Sequence, residues 1–326
     1  MMMRAILFLI ALLFAATAQA QTYSVDSITD GSFGDIVSAA SGSSTFRAAS
    51  SSGTVTRQSG SAVRVSTNSV YSVITIRCSA SNLCNSATVY VTLALAGTPT
   101  GRLGYIPSVN LTNGTATVTN AYSAGSYIVI NLSPIPRNSS RTFLLGYDVP
   151  VLGNDSAQAT GNAVTSFLIT ASRLSGAGSD SLVGNITAKV IRPVDIAKTA
   201  DLQFGSVTRP SSGSGSLTLS PAGVASVTGE GVRRMPTPVA TPAAFTVTGE
   251  GGQAVTVSVP ATVTLSGSAG SVVATTSATG SGSQVLSGST GGSGTVEVKI
   301  GGTIPLSGST AIGTFTGTLV VTVQYN

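Results

Sequence analysis

The last stretch of the chain, Gly313 to Tyr325, alternates in a way that few folds satisfy. Phe315, Leu319, Val321, Val323 and Tyr325 fall on one face at period two, and Thr314, Thr316, Thr318, Thr322 and Gln324 fall on the other. Only Val320 interrupts the polar face. A helix would scatter these residues around its axis, whereas a strand sorts them into a dry side and a wet side. The β-branched and aromatic residues on the dry side suit that conformation. The run Gly184-Asn-Ile-Thr-Ala-Lys-Val-Ile191 repeats the pattern in miniature. Two tandem β-sandwich modules follow as the expectation, each finishing on such a strand.

The rest of the chain agrees with an all-β reading. Hydrophobic residues make up 42% and charged residues only 8%, which excludes a disordered chain. Strands are expected at Ala62–Val65, Val70–Ile76, Thr88–Leu95, Thr115–Thr119, Tyr127–Leu132, Thr142–Val149, Ala163–Ala171 and Ile186–Ile191. Their spacing, with Gly, Ser, Pro and Asn between them, suits a sandwich. Ser172 to Ser181 reads as a loop. Pro193 removes a ladder donor and should end a strand or sit on an edge, so the domains are drawn at 21–193 and 194–326. The second opens on Leu202-Gln-Phe204-Gly205, an echo of Ser32-Phe33-Gly34, and its strands are expected at Leu217, Phe245, Val255, Val263, Val272, Val296–Ile300 and Thr303–Leu306. The Pro-rich run from Arg233 to Pro242 is either a crossing between sheets or a mobile surface loop.

At the N-terminus, Arg4, the apolar run Ala5 to Ala16 and Ala18-Gln19-Ala20 have the layout of a cleaved export signal over residues 1–20. The apolar run is shorter than the roughly 20 residues needed to span a bilayer. The mature protein is expected outside the cytoplasm: in the periplasm, on the cell surface or in the medium. Losing Arg4 lowers the formal charge from +5 by one, and no basic cluster exceeds Arg233-Arg234, so nucleic-acid binding has no electrostatic footprint. In that compartment Cys78 and Cys84, six positions apart, read as a structural disulfide.

Catalytic chemistry lacks its usual parts. There is no histidine, which removes the commonest general base and metal ligand. The acids are scattered; Asp26, Asp30 and Asp35 with Asn154-Asp155 are the best candidates for calcium, but such residues populate turns for their own backbone hydrogen bonds. No enzyme activity, cofactor or metal is expected. Tyr23, Tyr105, Tyr122 and Tyr127 form a candidate sugar platform if exposed, against the plainer reading that tyrosine suits strands.

Several segments in the second half carry a family resemblance: Leu202-x-Phe204-Gly205, the Gly215-to-Gly223 run with Leu217, Leu219 and Pro221, Phe245-x-Val247-Thr248-Gly249, Ile300-Gly-Gly-Thr303 and the closing Gly313-x-Phe315-x-Gly317-Thr318-x-x-Val321-Thr322-Val323-x-Tyr325. Together they resemble the bacterial family named Domain of Unknown Function 4402. The closing strand also resembles that of chaperone–usher pilins and spore-coat-U-type proteins. That resemblance implies immunoglobulin-like sandwiches completed by a strand from a neighbour, with Phe315, Leu319, Val321, Val323 and Tyr325 as the strand-pairing segment. Tyr23, Val25 and Ile28 are either a donor segment or the first module's own first strand. The expected function is a non-catalytic exported structural or adhesive subunit, fimbria-like, with a chaperone, an usher or like subunits as partners. The alternative is a secreted module binding a glycan or peptide through the loops of its first domain.

Overall fold

The alternating runs become strands, and no α-helix forms among the described residues. The computed structural model describes residues 22–79, 81–173 and 178–326. The export signal assigned to 1–20 lies outside the described residues, as do positions 174–177 of the expected 172–181 loop. The described residues up to Val190 form one compact unit and those from Ile191 a second. Each is all-β and built from sheets stacked in sandwich fashion.

In the first unit one sheet has the order β1-β6-β11-β3-β4, with β8 also on β11. These are β1 (Tyr23–Ile28), β3 (Ser44–Ala48), β4 (Val55–Ser59), β6 (Ser72–Cys78), β8 (Val109–Asn113) and β11 (Ser140–Val151). The other sheet runs β5-β2-β13-β12-β7-β10-β9. Its strands are β2 (Gly31–Val37), β5 (Val63–Arg64), β7 (Val89–Ala96), β9 (Val118–Ala124), β10 (Tyr127–Leu132), β12 (Gly161–Arg173) and β13 (Asp180–Ile191). Alternate residues of both sheets fill one continuous core, in which Tyr147 lies between Phe33 and Phe167 with ring centroids 6.0 and 6.5 Å away. Gly31 is required beside it, because a Cβ there would overlap the Tyr147 hydroxyl. Stacked sheets ~10 Å apart leave room for side chains of this size and no more.

Several expectations shift here. The strand expected at Thr115–Thr119 begins at Val118 and continues to Ala124, and Val109–Asn113 forms a strand of its own. The ends of the expected 172–181 loop belong to strands: β12 continues to Arg173 and β13 starts at Asp180, their register holding to Ala171↔Asp180. Ser and Thr there pair across strands, as in the 2.8 Å hydrogen bond of Thr170 with Ser181. Tyr23 is fully buried, its hydroxyl donating to Ala87 O at 2.8 Å, and so is removed from the expected platform. Strand β1 pairs with β6 and is part of the unit's own sheet.

The second unit has a large sheet, β14-β17-β22-β15-β16 with β20 joined to β22 and β19 to β20, and a small one, β21-β18-β23. The large sheet comprises β14 (Asp195–Ala200), β15 (Ser214–Leu219), β16 (Ala225–Thr228), β17 (Ala243–Glu250), β19 (Thr262–Gly267), β20 (Gly270–Thr279) and β22 (Ser293–Ser307). The small one comprises β18 (Ala254–Ser258), β21 (Gly282–Val285) and β23 (Thr322–Tyr325). The strands expected at Val296–Ile300 and Thr303–Leu306 are a single strand, β22, running through Gly301-Gly302. The glycines do not break it; they let neighbours approach, since a Cβ on Gly301 would strike Leu219 O and one on Gly302 would strike Thr275 O. The Arg233–Pro242 run is tied down, with Val207 bridged to Arg234 and Gln203 to Thr241.

Candidate functional site

The closing stretch of the second unit departs most from its expected form. The sequence reads as one strand from Gly313 to Tyr325, yet only Thr322–Tyr325 joins a ladder, with β18, and Thr316 alone bridges Ser266. The cause lies on the partner strand. Ser258 faces Thr322, so the same register would set Val320 against Pro260, which has no N–H to donate. Beyond that proline the register resumes displaced, at Ser266 and Thr316, with bonds of 2.7 and 2.9 Å. The alternation itself survives: Phe315, Leu319, Val321, Val323 and Tyr325 are half-buried and the residues between them exposed. Val320, the apolar intruder on the polar face, is 62% exposed.

This arrangement fixes where the backbone groups point. Thr316 exchanges its bonds with Ser266, and Asn326 donates to Ala254 O, so even-numbered residues turn their N–H and C=O toward β18 and β19. In an extended chain the odd-numbered residues turn theirs the other way. β23 is the edge of its sheet, and among the described residues no strand pairs with that outward side. The five residues whose side chains face the core thus also carry the unpaired edge.

Beside that edge the sandwich is open. A groove of about 1140 Å3 runs between 198–209 and 310–319, floored by Phe245, Val263, Leu265, Ala274, Ile304 and Leu306. It divides the core in two: one cluster around Val247, Val257 and Val298, the other around Leu217, Leu219 and Leu306. The first unit, by contrast, has a single cluster. Polar groups keep to the groove's rim, where Lys198 pairs with Asp201 at 2.6 Å and Arg209 donates to Thr310 O at 2.9 Å. Ile312 on the same segment is 76% exposed.

The far end of the closing strand is held firmly. The Tyr325 hydroxyl accepts from Glu250 N at 2.8 Å and donates to Arg192 O at 2.9 Å. Burial pushes its phenol above the ordinary value. Glu250 is fully buried, and its carboxylate accepts from Gly291 N at 2.5 Å, Arg192 N at 3.1 Å and Arg192 Nη1 at 3.0 Å. Sequence reasoning missed this cluster, because no local pattern marks a carboxylate that meets partners 41 and 58 positions away.

The remaining candidates have structural occupations. Cys78 and Cys84 are bonded, with Cα atoms 6.1 Å apart, and close a loop holding the one 3-10 turn of the described residues, Asn82–Asn85. Asp30 accepts from Asn185 N at 2.8 Å, Asp155 from Gly42 N at 3.0 Å, and Asp26 from Ser140 at 3.5 Å. No group of three or more metal-ligating side chains gathers among the described residues. Tyr105, 51% exposed, lies on the loop before β8. Tyr122 and Tyr127 sit on adjacent strands β9 and β10, and Tyr90 of β7 lies on the same face across β10. Burial, followed by these two neighbours, pushes the Tyr90 phenol above its ordinary value. Tyr90 was legible only as one member of the alternating Val89–Leu95 run.

Two solved structures overlap much of the chain in a search by shape. One is the CsuC–CsuE chaperone–tip adhesion subunit pre-assembly complex from archaic chaperone–usher Csu pili of Acinetobacter baumannii. It has 10% identity and a TM-score of 0.27, and the overlap covers 93% of this chain and 99% of that one. The other is a chaperone–tip adhesin complex of CFA/I fimbriae, with 11% identity, a TM-score of 0.27, and 91% and 97% covered. No curated protein matches the sequence. No helix among the described residues is long and apolar enough to cross a membrane. Residues 194–325, nearly all of the second unit, match the family described as Domain of unknown function (DUF4402).

Proposed function

We propose that the protein is an exported, non-catalytic structural or adhesive subunit that takes an extended strand from a neighbouring exported protein, in the manner of a fimbria-like assembly. The observation carrying this reading is the unpaired backbone edge from Phe315 to Tyr325 beside an apolar groove that splits the core of its own unit. An incoming strand would bond the outward amides and lay alternate side chains between the two clusters, the combination by which strand addition gains affinity and specificity. Each apolar side chain buried there would contribute about 1.5–3 kcal/mol. Natural sheets guard exposed edges with charge, proline or bulges, and this edge has none of its own between Phe315 and Tyr325. The partners this reading calls for are a chaperone, an usher or like subunits. Strand β1 is engaged in its own sheet, so the Tyr23–Ile28 segment is not free to be donated.

The test is a synthetic peptide of about ten residues, a length set by the free edge at ~3.3 Å per residue. It carries Val or Leu at alternate positions and Thr between. Its binding should raise the melting temperature of the second unit, and Val321→Pro should abolish the effect by deleting an outward donor while sparing the ladder at Thr322–Tyr325. A peptide that binds Val321→Pro as well as it binds the unaltered protein would refute the reading.

A further inference from the structure

We infer that the outer face of the β9-β10-β7-β12 sheet in the first unit is a binding surface for a neutral carbohydrate chain. This goes beyond strand pairing and uses the other unit. The printed registers lay the face out in rows. Tyr122, Val129, Thr92 and Thr170 stand abreast on successive strands. Tyr127 and Leu168 lie one row to one side, Asn131 and Tyr90 one row to the other. Val129 points away from the core cluster, yet it is completely buried. Tyr122 stands directly opposite Val129 on β9 and Tyr90 diagonally opposite on β7, so large side chains from both neighbouring strands flank it and account for that burial. Tyr122 and Tyr127 nevertheless remain 46% and 40% exposed, so aromatic surface is presented outward.

Three properties of this face select its occupant. First, none of the residues in these rows carries a formal charge, which disfavours an anionic or cationic partner. Second, size argues against a protein: four strands at ~4.8 Å and three rows at ~7 Å make a face of roughly 400 Å2. A stable protein interface needs about 800 Å2 from each partner. An added peptide strand would pair at the free edge of β9 and leave the face itself uncovered, because β10, β7 and β12 are paired on both sides. Third, the chemistry is mixed in the way a pyranose requires. The negative faces of tyrosine rings suit the apolar C–H face of a sugar, and the Tyr, Thr and Asn side chains around them both donate and accept hydrogen bonds. The expected platform counted Tyr23, which is buried; on this sheet face Tyr90 stands with Tyr122 and Tyr127 instead.

The experiment titrates the full-length mature chain with cellohexaose, hexa-N-acetylchitohexaose and laminarihexaose, following intrinsic tyrosine emission, which is unobscured because the chain has no tryptophan. At least one should bind saturably. Tyr122→Ala/Tyr127→Ala should weaken that binding about tenfold or more, while Tyr105→Ala leaves it unchanged. Thr170→Arg keeps every tyrosine and should block the same ligand by laying a charged side chain across the face. Should the double variant unfold, this second variant decides the matter. Saturable binding to none of the three sugars, or binding undiminished by these changes, overturns the inference and leaves strand pairing in the other unit untouched.

Discussion

Replacing Glu250 with glutamine tests whether the closing strand of the second unit is anchored as described. The substitution keeps shape and volume, so no cavity opens, and it removes only charge and one acceptor. The carboxylate is fully buried and accepts from Gly291 N, Arg192 N and Arg192 Nη1. In either amide orientation an N–H of the glutamine meets donors where an acceptor stood. One unpaired buried donor costs about 1–3 kcal/mol, and loss of one partner of a buried ion pair about 3–5 kcal/mol. Arg192 moderates this, since its side chain is 21% exposed and keeps its 3.3 Å bond to Gly291 O. The expected loss is therefore about 2–3 kcal/mol, confined to the second unit. At a urea m-value of about 1–3 kcal/mol/M the midpoint should fall by roughly 1–2 M. The assay is urea unfolding of the whole protein followed by NMR, which separates the transitions of the two units. Lys299→Ala is the control: its 3.2 Å pair with Glu297 is exposed on both sides, and its loss should cost under about 0.5 kcal/mol. If Glu250→Gln costs no more than the control, the anchoring argument is wrong.

Two further outcomes follow for the first unit. The Arg47 guanidinium donates to both oxygens of Asp148 at 2.7 Å and Ser108 adds a third bond at 2.6 Å, which together hold that carboxyl below its ordinary pKa. The depressed folded value makes its stabilisation complete above the unfolded pKa of about 3.9 and lost as pH falls through the folded value. Asp148→Asn should therefore lower stability at neutral pH and flatten its decline below about pH 4, measured by thermal melts across a pH series; an unchanged slope would contradict this. Cys78→Ala/Cys84→Ala should cost the first unit about 2 kcal/mol by freeing its short loop in the unfolded chain, with the second unit's melting unaffected.

What could be read from the chain was its periodicity. Alternation is a local property, so Tyr127–Leu132 and the final dry face emerged from a few residues at a time. The interruption at Pro260 did not, because its effect falls on Val320, sixty positions away, through a register the sequence does not carry. Gly301-Gly302 misled for the same reason: read locally the pair breaks a strand, and only the nearness of Leu219 and Thr275 explains why β22 continues. The dry-side residues of the candidate edge were legible as side chains. That their backbone is unpaired, and that a groove lies beside it, depends on how two sheets close. Tyr90 was hidden by ordinariness, since a tyrosine in an alternating run looks like any strand residue until its neighbours across β10 are known.

Hydrogen exchange at individual amides, with and without the alternating Val/Thr peptide, reads the open edge residue by residue. The peptide should slow exchange at the outward amides of Gly317, Leu319 and Val321, which have no strand partner among the described residues of the free protein, and leave Thr316 and Gln324 nearly as they were. Binding that leaves Leu319 and Val321 exchanging as fast as before would place the peptide elsewhere and contradict the account.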